Sequence, residues 1–204
     1  AKKPMSEPSR YAESVLPTDH GEFRIVVFRD GDKEHVAMVH GNVAGKADVL
    51  TRVHSECLTG EVFGSLRCDC RAQLDLALDR VTDEGLGVVV YLRQEGRGIG
   101  LGNKIRAYAL QDRGEDTVTA NESLGFAPDQ REYAIAAGIL KELGVESVRL
   151  LTNNPDKVAG LRAHGIEVSA RVSHWAGESS HNKNYLEVKR ARMGHLDDES
   201  ETGI

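Results

Sequence analysis

Hydrophobic and polar residues alternate in short runs through the first third of the chain, as they do in half-buried β-strands. Two such runs, Glu22–Arg29 and Glu34–His40, are separated by Asp30-Gly31-Asp32. A glycine turn of this kind joins two strands in a hairpin. A third short run spans Val49–Val53. The pattern therefore predicts an antiparallel arrangement of strands in the N-terminal part.

Later in the chain, segments with helical spacing alternate with short apolar runs. Leu86–Leu92 is apolar throughout, which is typical of a strand buried on both faces. Helices are predicted at Gln73–Val81, Lys104–Gln111, Gln130–Leu143, Pro155–Ala163 and Asn184–Met193, and strands at Ser147–Leu151 and Ile166–Val172. The stretch from Gln111 to Phe126 is expected to be rich in turns. This alternation indicates an α/β fold, with a mixed sheet whose N-terminal strands are antiparallel and with α/β layering in the C-terminal part.

The chain of 204 residues has the length of one ordinary to large domain. Residues 1–10 mix charge, serine and proline without periodicity, so we expect a flexible N-terminal tail there. We predict a single domain over residues 11–196 and a polar C-terminal tail over 197–204, because no internal repeat and no long linker divides the sequence.

Charge and hydropathy exclude several classes of protein. The formal net charge of -6 argues against general binding to nucleic acid or to anionic membranes, since both need a basic surface. A mean hydropathy of -0.39 argues against a secreted or membrane-spanning chain, and so does the lack of a long apolar run. The three cysteines are an odd number. We therefore expect reduced thiols and a cytoplasmic location.

All three cysteines, Cys57, Cys68 and Cys70, lie close together in the spacing Cys-x10-Cys-x-Cys. Three thiolates that face one point suit Zn²⁺, and the fourth tetrahedral position is then open to water. Zinc lowers the pKa of such a water to ~7, which favours attack on an electrophilic carbon. Two alternatives stay open. His54 as a fourth ligand would make the zinc structural, or the cysteines could be small residues of the core.

Two further segments have the form of a turn between a strand and a helix. Arg93–Leu101 is rich in glycine and arginine, and its backbone N–H groups could bind an anion at a helix N-terminus; the alternative is a plain connecting turn. In Leu151–Lys157, Thr152 or Asn154 could cap a helix that begins at Pro155. We interpret the basic residues near these turns as a pocket for a small polyphosphate. They are Arg52, Arg67, Arg93, Arg97, Lys104 and Arg106.

Five segments, taken together, resemble GTP cyclohydrolase II. They are Arg52–Gly60, Ser65–Cys70, Arg93–Leu101, Asn103–Gln111 and Leu150–Pro155, and the resemblance extends in one register from residue 11 to Leu196. It implies the fold of that family and an enzyme that opens the imidazole ring of GTP. Formate and pyrophosphate leave, and 2,5-diamino-6-ribosylamino-4(3H)-pyrimidinone 5′-phosphate is formed, in the first step toward riboflavin. The resemblance also implies one Zn²⁺ per chain, Mg²⁺ with the triphosphate, and a homodimer.

The resemblance also assigns roles to individual residues. Cys57, Cys68 and Cys70 would hold the zinc, in agreement with the interpretation of their spacing. The positions that match the GTP contacts of the family are Arg52, Val53, His54, Ser55, Glu56, Gln73, Glu95, Gly96, Arg97, Thr117, Thr152 and Lys157.

Three catalytic positions follow from the resemblance. Asp129 matches a proton acceptor, although the residues alone equally indicate a helix N-cap, with Glu132 closing a capping box. Arg131 matches a nucleophile toward the α-phosphate. Because arginine keeps its proton in proteins, we leave open whether Arg131 attacks or stabilises charge. Tyr108 matches a tyrosine near C8 of guanine, where relatives with methionine stop at the formylamino product; otherwise such an aromatic only packs.

Two places depart from the pattern of the family. Arg71-Ala72 stands where a glycine is usual, and could contact phosphate or solvent. Arg171–Trp175 stands in place of a common Arg-Val-Pro-Leu turn, and could reshape a rim or a subunit contact. The dihydroxybutanone phosphate synthase domain of many relatives has no counterpart in the sequence, so we expect the cyclohydrolase step alone.

Two competing functions are considered. A divergent paralogue would open the ring and stop at the formylamino product, or serve a secondary pathway. A nucleotide-binding module would carry a structural zinc, with His54 completing its coordination.

Overall fold

The computed structural model describes residues 8–126, 133–177, 187 and 194–195. Its strands are β1 (Ser9–Thr18), β2 (Gly21–Asp30), β3 (Lys33–His40), β4 (Val49–Ser55), β5 (Gly87–Leu92), β6 (Ser147–Leu151) and β7 (Glu167–Val172). Its α-helices are α1 (Leu58–Glu61), α2 (Cys70–Glu84), α3 (Leu101–Gln111), α4 (Thr117–Ser123), α5 (Ala134–Glu142) and α6 (Pro155–Ala163). A 3-10 turn covers Glu95–Gly98.

One mixed sheet contains all seven strands, in the order β1-β2-β3-β5-β4-β6-β7. The pairs β1–β2, β2–β3 and β3–β5 are antiparallel, whereas β4–β5, β4–β6 and β6–β7 are parallel. The α/β fold and the antiparallel N-terminal part are therefore confirmed. The predicted hairpin is also confirmed, with its turn at Gly31-Asp32 between β2 and β3.

The core lies on both faces of the sheet. Val88 and Val90 of β5 pack with residues of α5 and α6, including Ile139 and Leu161, on one face. Val89 points to the opposite face and packs with α2. Because successive side chains of a strand point to opposite faces, an uninterrupted apolar run is the expected sequence for a strand between two layers.

Two elements differ from the sequence predictions. Strand β1 begins at Ser9, inside the segment expected to be a tail, and almost all of it is solvent-exposed. The strand forms because it pairs with β2. Since almost none of its side chains is buried, its sequence has no alternation of apolar and polar residues that could predict it. Helix α4 lies where turns were expected. Its N-terminus has reciprocal bonds, because Thr119 N donates to Asp116 Oδ1 and Asp116 N donates to Thr119 Oγ1.

Other boundaries moved by a few residues. Helix α2 begins at Cys70 and α3 at Leu101, each three residues before the prediction, because glycine and charge obscured the helical spacing. The predicted helix Asn184–Met193 lies outside the described residues apart from Glu187, and the first residues of the predicted helix from Gln130 do as well.

Candidate active site

Four parallel strands bring the predicted segments to one edge of the sheet. The cysteine segment follows β4, the glycine-rich segment follows β5, and the Asn-Pro turn follows β6. Carboxyl ends of parallel strands meet at one edge, where α/β proteins bind ligands. A cavity at this edge is lined by Arg52, His54, Ser55, Glu56, Cys57, Cys68, Cys70, Glu95, Gly96, Ile99, Lys104, Ala107, Tyr108, Gln111, Asn121, Thr152, Asn153, Asn154, Lys157, His174 and His195.

The three thiols form a cluster in the wall of this cavity. The sulfur atoms of Cys57, Cys68 and Cys70 all lie within 4.8 Å of one another. Cys57 Sγ and Cys68 Sγ are 3.7 Å apart, and all three thiols are free of disulfides. The convergence of all three sulfur atoms favours a metal site over the alternative of small core residues, and the cluster could hold a metal ion.

Gly60 of helix α1 has no side chain, and the sulfur atoms of Cys57 and Cys68 lie where a side chain at this position would be. A Cβ atom at position 60 would lie 2.7 Å from Cys68 Sγ and 3.3 Å from Cys57 Sγ. The first distance is too short for any side chain, and the second is tighter than an ordinary contact. The backbone of α1 thus approaches the thiols closely, as expected for a loop that surrounds a metal ion.

Lys104 of helix α3 supplies positive charge beside the cluster. Its Nζ donates hydrogen bonds to Cys57 Sγ at 3.0 Å and to Glu95 Oε1 at 2.8 Å. Hydrogen bonds from the thiols of Cys68 and Cys70, followed by the one from Lys104, lower the pKa of Cys57. The site therefore favours a thiolate at Cys57, and a thiolate is the form that binds a metal.

His54 does not join the thiol cluster. Its Nε2 lies 2.6 Å from Oε1 of Glu61, and the other carboxylate oxygen of Glu61 accepts a hydrogen bond from the Tyr91 hydroxyl. Among the residues with coordinates that can be described, the cysteines alone make up the cluster of possible ligands. The interpretation of His54 as a fourth ligand therefore loses its support, because its Nε2 is bonded to Glu61.

Arg52 and Gln73 connect the cysteine segment to the ends of the strands. Arg52 NH1 donates to the Leu151 carbonyl at 2.8 Å and NH2 donates to Gln73 Oε1 at 2.5 Å. Gln73 Nε2 in turn donates to Asp69 Oδ2 at 2.5 Å. Arg52 lines the cavity, and the hydrogen bond to Gln73 holds the orientation of the Arg52 guanidinium.

The Asn-Pro turn closes another side of the cavity. Asn154 is the N-cap of α6, since its Oδ1 accepts from Asp156 N at 2.9 Å. Lys157 is buried, and its Nζ donates to the Val53 carbonyl at 2.8 Å. The side chain of Val53 lies in the core, so only its backbone faces this region. The same turn thus provides both the N-cap of α6 and a buried cation, Lys157.

Two other predicted residues have distinct surroundings. Burial raises the pKa of Glu56, whose Oε2 lies 2.6 Å from Arg93 Nε. Burial likewise raises the pKa of Tyr108 to about 12, so its phenol is neutral at neutral pH. The Tyr108 ring centre is 4.9 Å from the guanidinium carbon of Arg67.

Some predicted residues cannot be placed. Asp129 and Arg131 lie outside the described residues, and the side chains of Arg97 and Thr117 are not among those described. Sequence reasoning in turn missed cavity residues from α3, α4 and the segment after β7. They include Gln111, Asn121, His174 and His195. No local motif marks them, because only the packing of the helices brings them to the cavity.

The departures from the family pattern have structural explanations. Arg71 and Ala72 lie in helix α2, and Arg71 NH1 donates to the Glu61 carbonyl at 2.7 Å. His174 is fully buried, and its Nε2 donates to the Gln73 carbonyl at 2.8 Å. His174 therefore belongs to the wall of the cavity. The described helices are all too short or too polar to cross a lipid bilayer.

Comparison with known proteins agrees with this geometry. The family described as GTP cyclohydrolase II matches residues 9–173. A protein named GTP cyclohydrolase-2 from Enterobacter sp. (strain 638) is 54% identical over 92% of this chain and 96% of that protein. One with the same name from Citrobacter koseri is 53% identical over the same shares.

Longer relatives match as well. The riboflavin biosynthesis protein RibBA of Bacillus subtilis (strain 168) is 56% identical over 92% of this chain, which spans only 48% of that protein. The chain thus spans about half the length of RibBA relatives. A solved structure of RibBX, a two-domain 3,4-dihydroxy-2-butanone 4-phosphate synthase from A. baumannii, aligns with a TM-score of 0.45 and 18% identity over 82% of this chain and 41% of that one. Overlap at that level carries no argument about function. The match to the family and the identities above establish that this chain belongs to the GTP cyclohydrolase II family.

Proposed function

We propose that this protein is a GTP cyclohydrolase II that opens the imidazole ring of GTP and releases formate and pyrophosphate. The observation that carries the proposal is that three free thiols and the cations Arg52 and Lys157 line one cavity. Ring opening needs an activated nucleophile, and a triphosphate needs positive charge. In an acidic chain, this cavity combines both requirements at the carboxyl ends of the strands.

The metal in this proposal is one Zn²⁺ per chain, held by Cys57, Cys68 and Cys70. Soft thiolates select such a metal, and Gly60 leaves room for the three sulfur atoms. When bound, zinc would supply a water of lowered pKa as the nucleophile for ring opening. The ammonium of Lys104 offsets part of the negative charge that three thiolates bring into a half-buried site.

The substrate contacts follow the walls of the cavity. The turn at Glu95-Gly96 and the residues Thr152 and Lys157 would surround the nucleotide, with Mg²⁺ accompanying the triphosphate. Thr152 Oγ1 already accepts a hydrogen bond from Asn154 N at 3.0 Å, so its orientation is determined before a ligand binds. Such fixed groups lower the entropic cost of positioning a substrate.

Tyr108 has the properties of a hydrogen-bond donor to the intermediate. Its phenol is neutral, lines the cavity and lies on the same helix as Lys104. In this proposal it orients the formamide for the second hydrolysis, which releases formate. Asp129 as proton acceptor and Arg131 as a group that acts on the α-phosphate remain predictions from the resemblance.

The assembly and the location are also proposals. A homodimer is supported by the exposed edge strand β1, where the large apolar residues Tyr11 and Val15 are 57% and 59% exposed. A cytoplasmic location is supported by the thiol chemistry, because reduced cysteines persist there. Light scattering of the purified protein tests the dimer.

The test of the activity is direct. The zinc-loaded protein is incubated with GTP and Mg²⁺, and formate, pyrophosphate and the pyrimidine product are each quantified. We expect one formate and one pyrophosphate for each GTP consumed. A product that retains the formyl group would identify the protein as the paralogue that stops after ring opening. No consumption of GTP by protein with a full complement of zinc would contradict the proposed function.

A further inference from the structure

A buried chain of hydrogen bonds lies beside the thiol cluster and has no role in the proposal above. The side chains of His54 and Glu61 are only 3% and 8% exposed, and His54 Nε2 is 2.6 Å from Glu61 Oε1. The Tyr91 hydroxyl donates to Glu61 Oε2. The rings of His54 and Tyr91 stack with centres 5.7 Å apart and an interplanar angle of 19°. Helix α1, through Glu61, and the neighbouring strand β5, through Tyr91, thus hold the histidine on two sides.

These contacts determine which ring nitrogen of His54 carries the hydrogen. A carboxylate only accepts hydrogen bonds, so Nε2 facing Glu61 must be the protonated nitrogen. Burial, opposed by the bond to Glu61, lowers the pKa of His54, and the positive charge of Arg52 lowers it further. The imidazole is therefore neutral, and its lone pair is on Nδ1.

Nδ1 has no hydrogen-bond partner within the described part of the chain, although it is buried. The ring lines the cavity, and Nδ1 is the nitrogen turned away from Glu61. A buried acceptor without a donor carries a cost in free energy, because it has lost its hydrogen bonds to water. A ligand in the cavity that presents an N–H or O–H group to Nδ1 would remove this cost.

We propose that Glu61 is a positioning residue that holds His54 in the tautomer which offers Nδ1 as a hydrogen-bond acceptor to the bound substrate. The inference rests on the proposed function in one respect, since it takes the substrate to be the purine nucleotide. Its structural part, the tautomer and its cause, does not depend on that activity.

The variant that tests this inference is Glu61→Gln. If the Tyr91 hydroxyl keeps its role as donor, it bonds to the amide oxygen, and the amide NH₂ then faces Nε2 of His54; the tautomer measured in the variant shows whether the amide takes this orientation. Nε2 would have to accept, and the hydrogen would move to Nδ1. The cavity would then contain a donor in place of an acceptor, while size and fold change little. Glu34→Gln, at an exposed carboxylate that pairs with Arg29, is the matched control.

The main readout is the nitrogen NMR spectrum of labelled histidine, with the His54 signal assigned by its loss in His54→Gln. In wild type we expect hydrogen on Nε2 and a shift of the Nδ1 signal when GTP is added. In Glu61→Gln we expect hydrogen on Nδ1, unchanged zinc content, and a loss of kcat/KM of roughly tenfold or more, as for a lost buried hydrogen bond. Tyr91→Phe keeps the contact between Glu61 and His54, so its tautomer should remain that of wild type.

Several results would overturn the inference. They are hydrogen on Nδ1 in wild type, no response of Nδ1 to GTP, or a kcat/KM of Glu61→Gln that does not follow the tautomer, either full with hydrogen on Nδ1 or lost with hydrogen still on Nε2. Loss of zinc from Glu61→Gln would assign the residue to the metal loop and would also refute the positioning role. Failure of wild type to consume GTP would refute the proposed function instead, while the tautomer measured in the absence of nucleotide still decides the role of Glu61.

Discussion

Single side chains divide the candidate site into a metal-binding wall and a polar wall. Cys57, Cys68 and Cys70 are soft ligands, whereas Tyr108 and His54 are neutral groups suited to hydrogen bonding. Burial disfavours charge on both sides, but on the thiol side a hydrogen bond from a cation opposes this effect. It keeps the phenol and imidazole uncharged, while Lys104 stabilises negative charge at Cys57. Substitutions at one residue should therefore separate metal binding from the later chemistry.

Cys68→Ser should remove zinc and abolish ring opening, because a hydroxyl is a poor replacement for a thiolate ligand. Metal analysis of the purified variant, together with an assay of GTP consumption, checks this. Circular dichroism serves as the control for folding. Stoichiometric zinc with full activity in the variant would show that the cluster is not the metal site.

Tyr108→Met should still consume GTP but accumulate the formylamino product, because the phenol that serves the second hydrolysis is lost. Separate measurement of GTP loss and formate release decides the matter. Wild type should release one formate for each GTP. The assigned role is wrong if the variant releases as much formate for each GTP as wild type does.

At the scale of elements, short helices and turns bring backbone close to the ligands. Helix α1 passes the sulfur atoms so closely that position 60 has no space for a side chain. Arg71 of α2 bonds to the last carbonyl of α1 and so connects the helix that follows Cys57 to the helix that begins at Cys70. The geometry of the cluster thus depends on where α1 lies as much as on the cysteines themselves.

Gly60→Ala should weaken zinc binding by ~10- to 100-fold, which is typical of disturbed support around a metal site. The added methyl group would push against Cys68 Sγ. Competition with a chelating dye measures the affinity.

Gly102→Ala is the matched control, since no heavy atom outside its own helix lies within 4 Å of a Cβ there. That change should leave zinc affinity unchanged and stabilise helix α3 by about 0.5–1 kcal/mol. Equal zinc affinities of the two variants would contradict this account of Gly60.

For the whole molecule, buried histidines link stability to pH. Burial, with smaller contributions from Arg52 and Arg80, lowers the pKa of His174 from 6.5 to about 2, and the carbonyl of Gln73 opposes this only in part. Between these values the unfolded chain binds a proton that the folded chain does not. The free energy of unfolding should therefore decrease as the pH falls below 6.5.

His174→Leu should reduce this dependence on pH, because the variant has no imidazole to protonate on unfolding. Urea unfolding of zinc-saturated protein at several pH values between about 5 and 7 measures the slope, in the range where unfolded histidine titrates. Wild type should lose more stability than the variant across this range. Identical slopes would mean that His174 is not held neutral in the folded protein.

Much of the fold could be predicted because its signals are local. The boundaries of β6 and α6 were predicted as they are found, since an apolar run ends at a turn and Pro155 begins the next helix. The approach of the three thiols was predicted from spacing alone. Helix α4 was missed because its polar sequence has weak helical spacing, and its capping by Asp116 is visible only in three dimensions.

The sequence by itself determined the family, the thiol cluster, and the turns that follow β5 and β6. These features depend on residue types that lie a few positions apart, and the local geometry of the chain is enough to bring such residues together. The tertiary structure alone decided which distant groups complete the site. Lys104 reaches Cys57 across 47 positions, and Tyr91 reaches Glu61 across 30. Such contacts depend on the order of strands in the sheet and on helix packing, which no local pattern specifies.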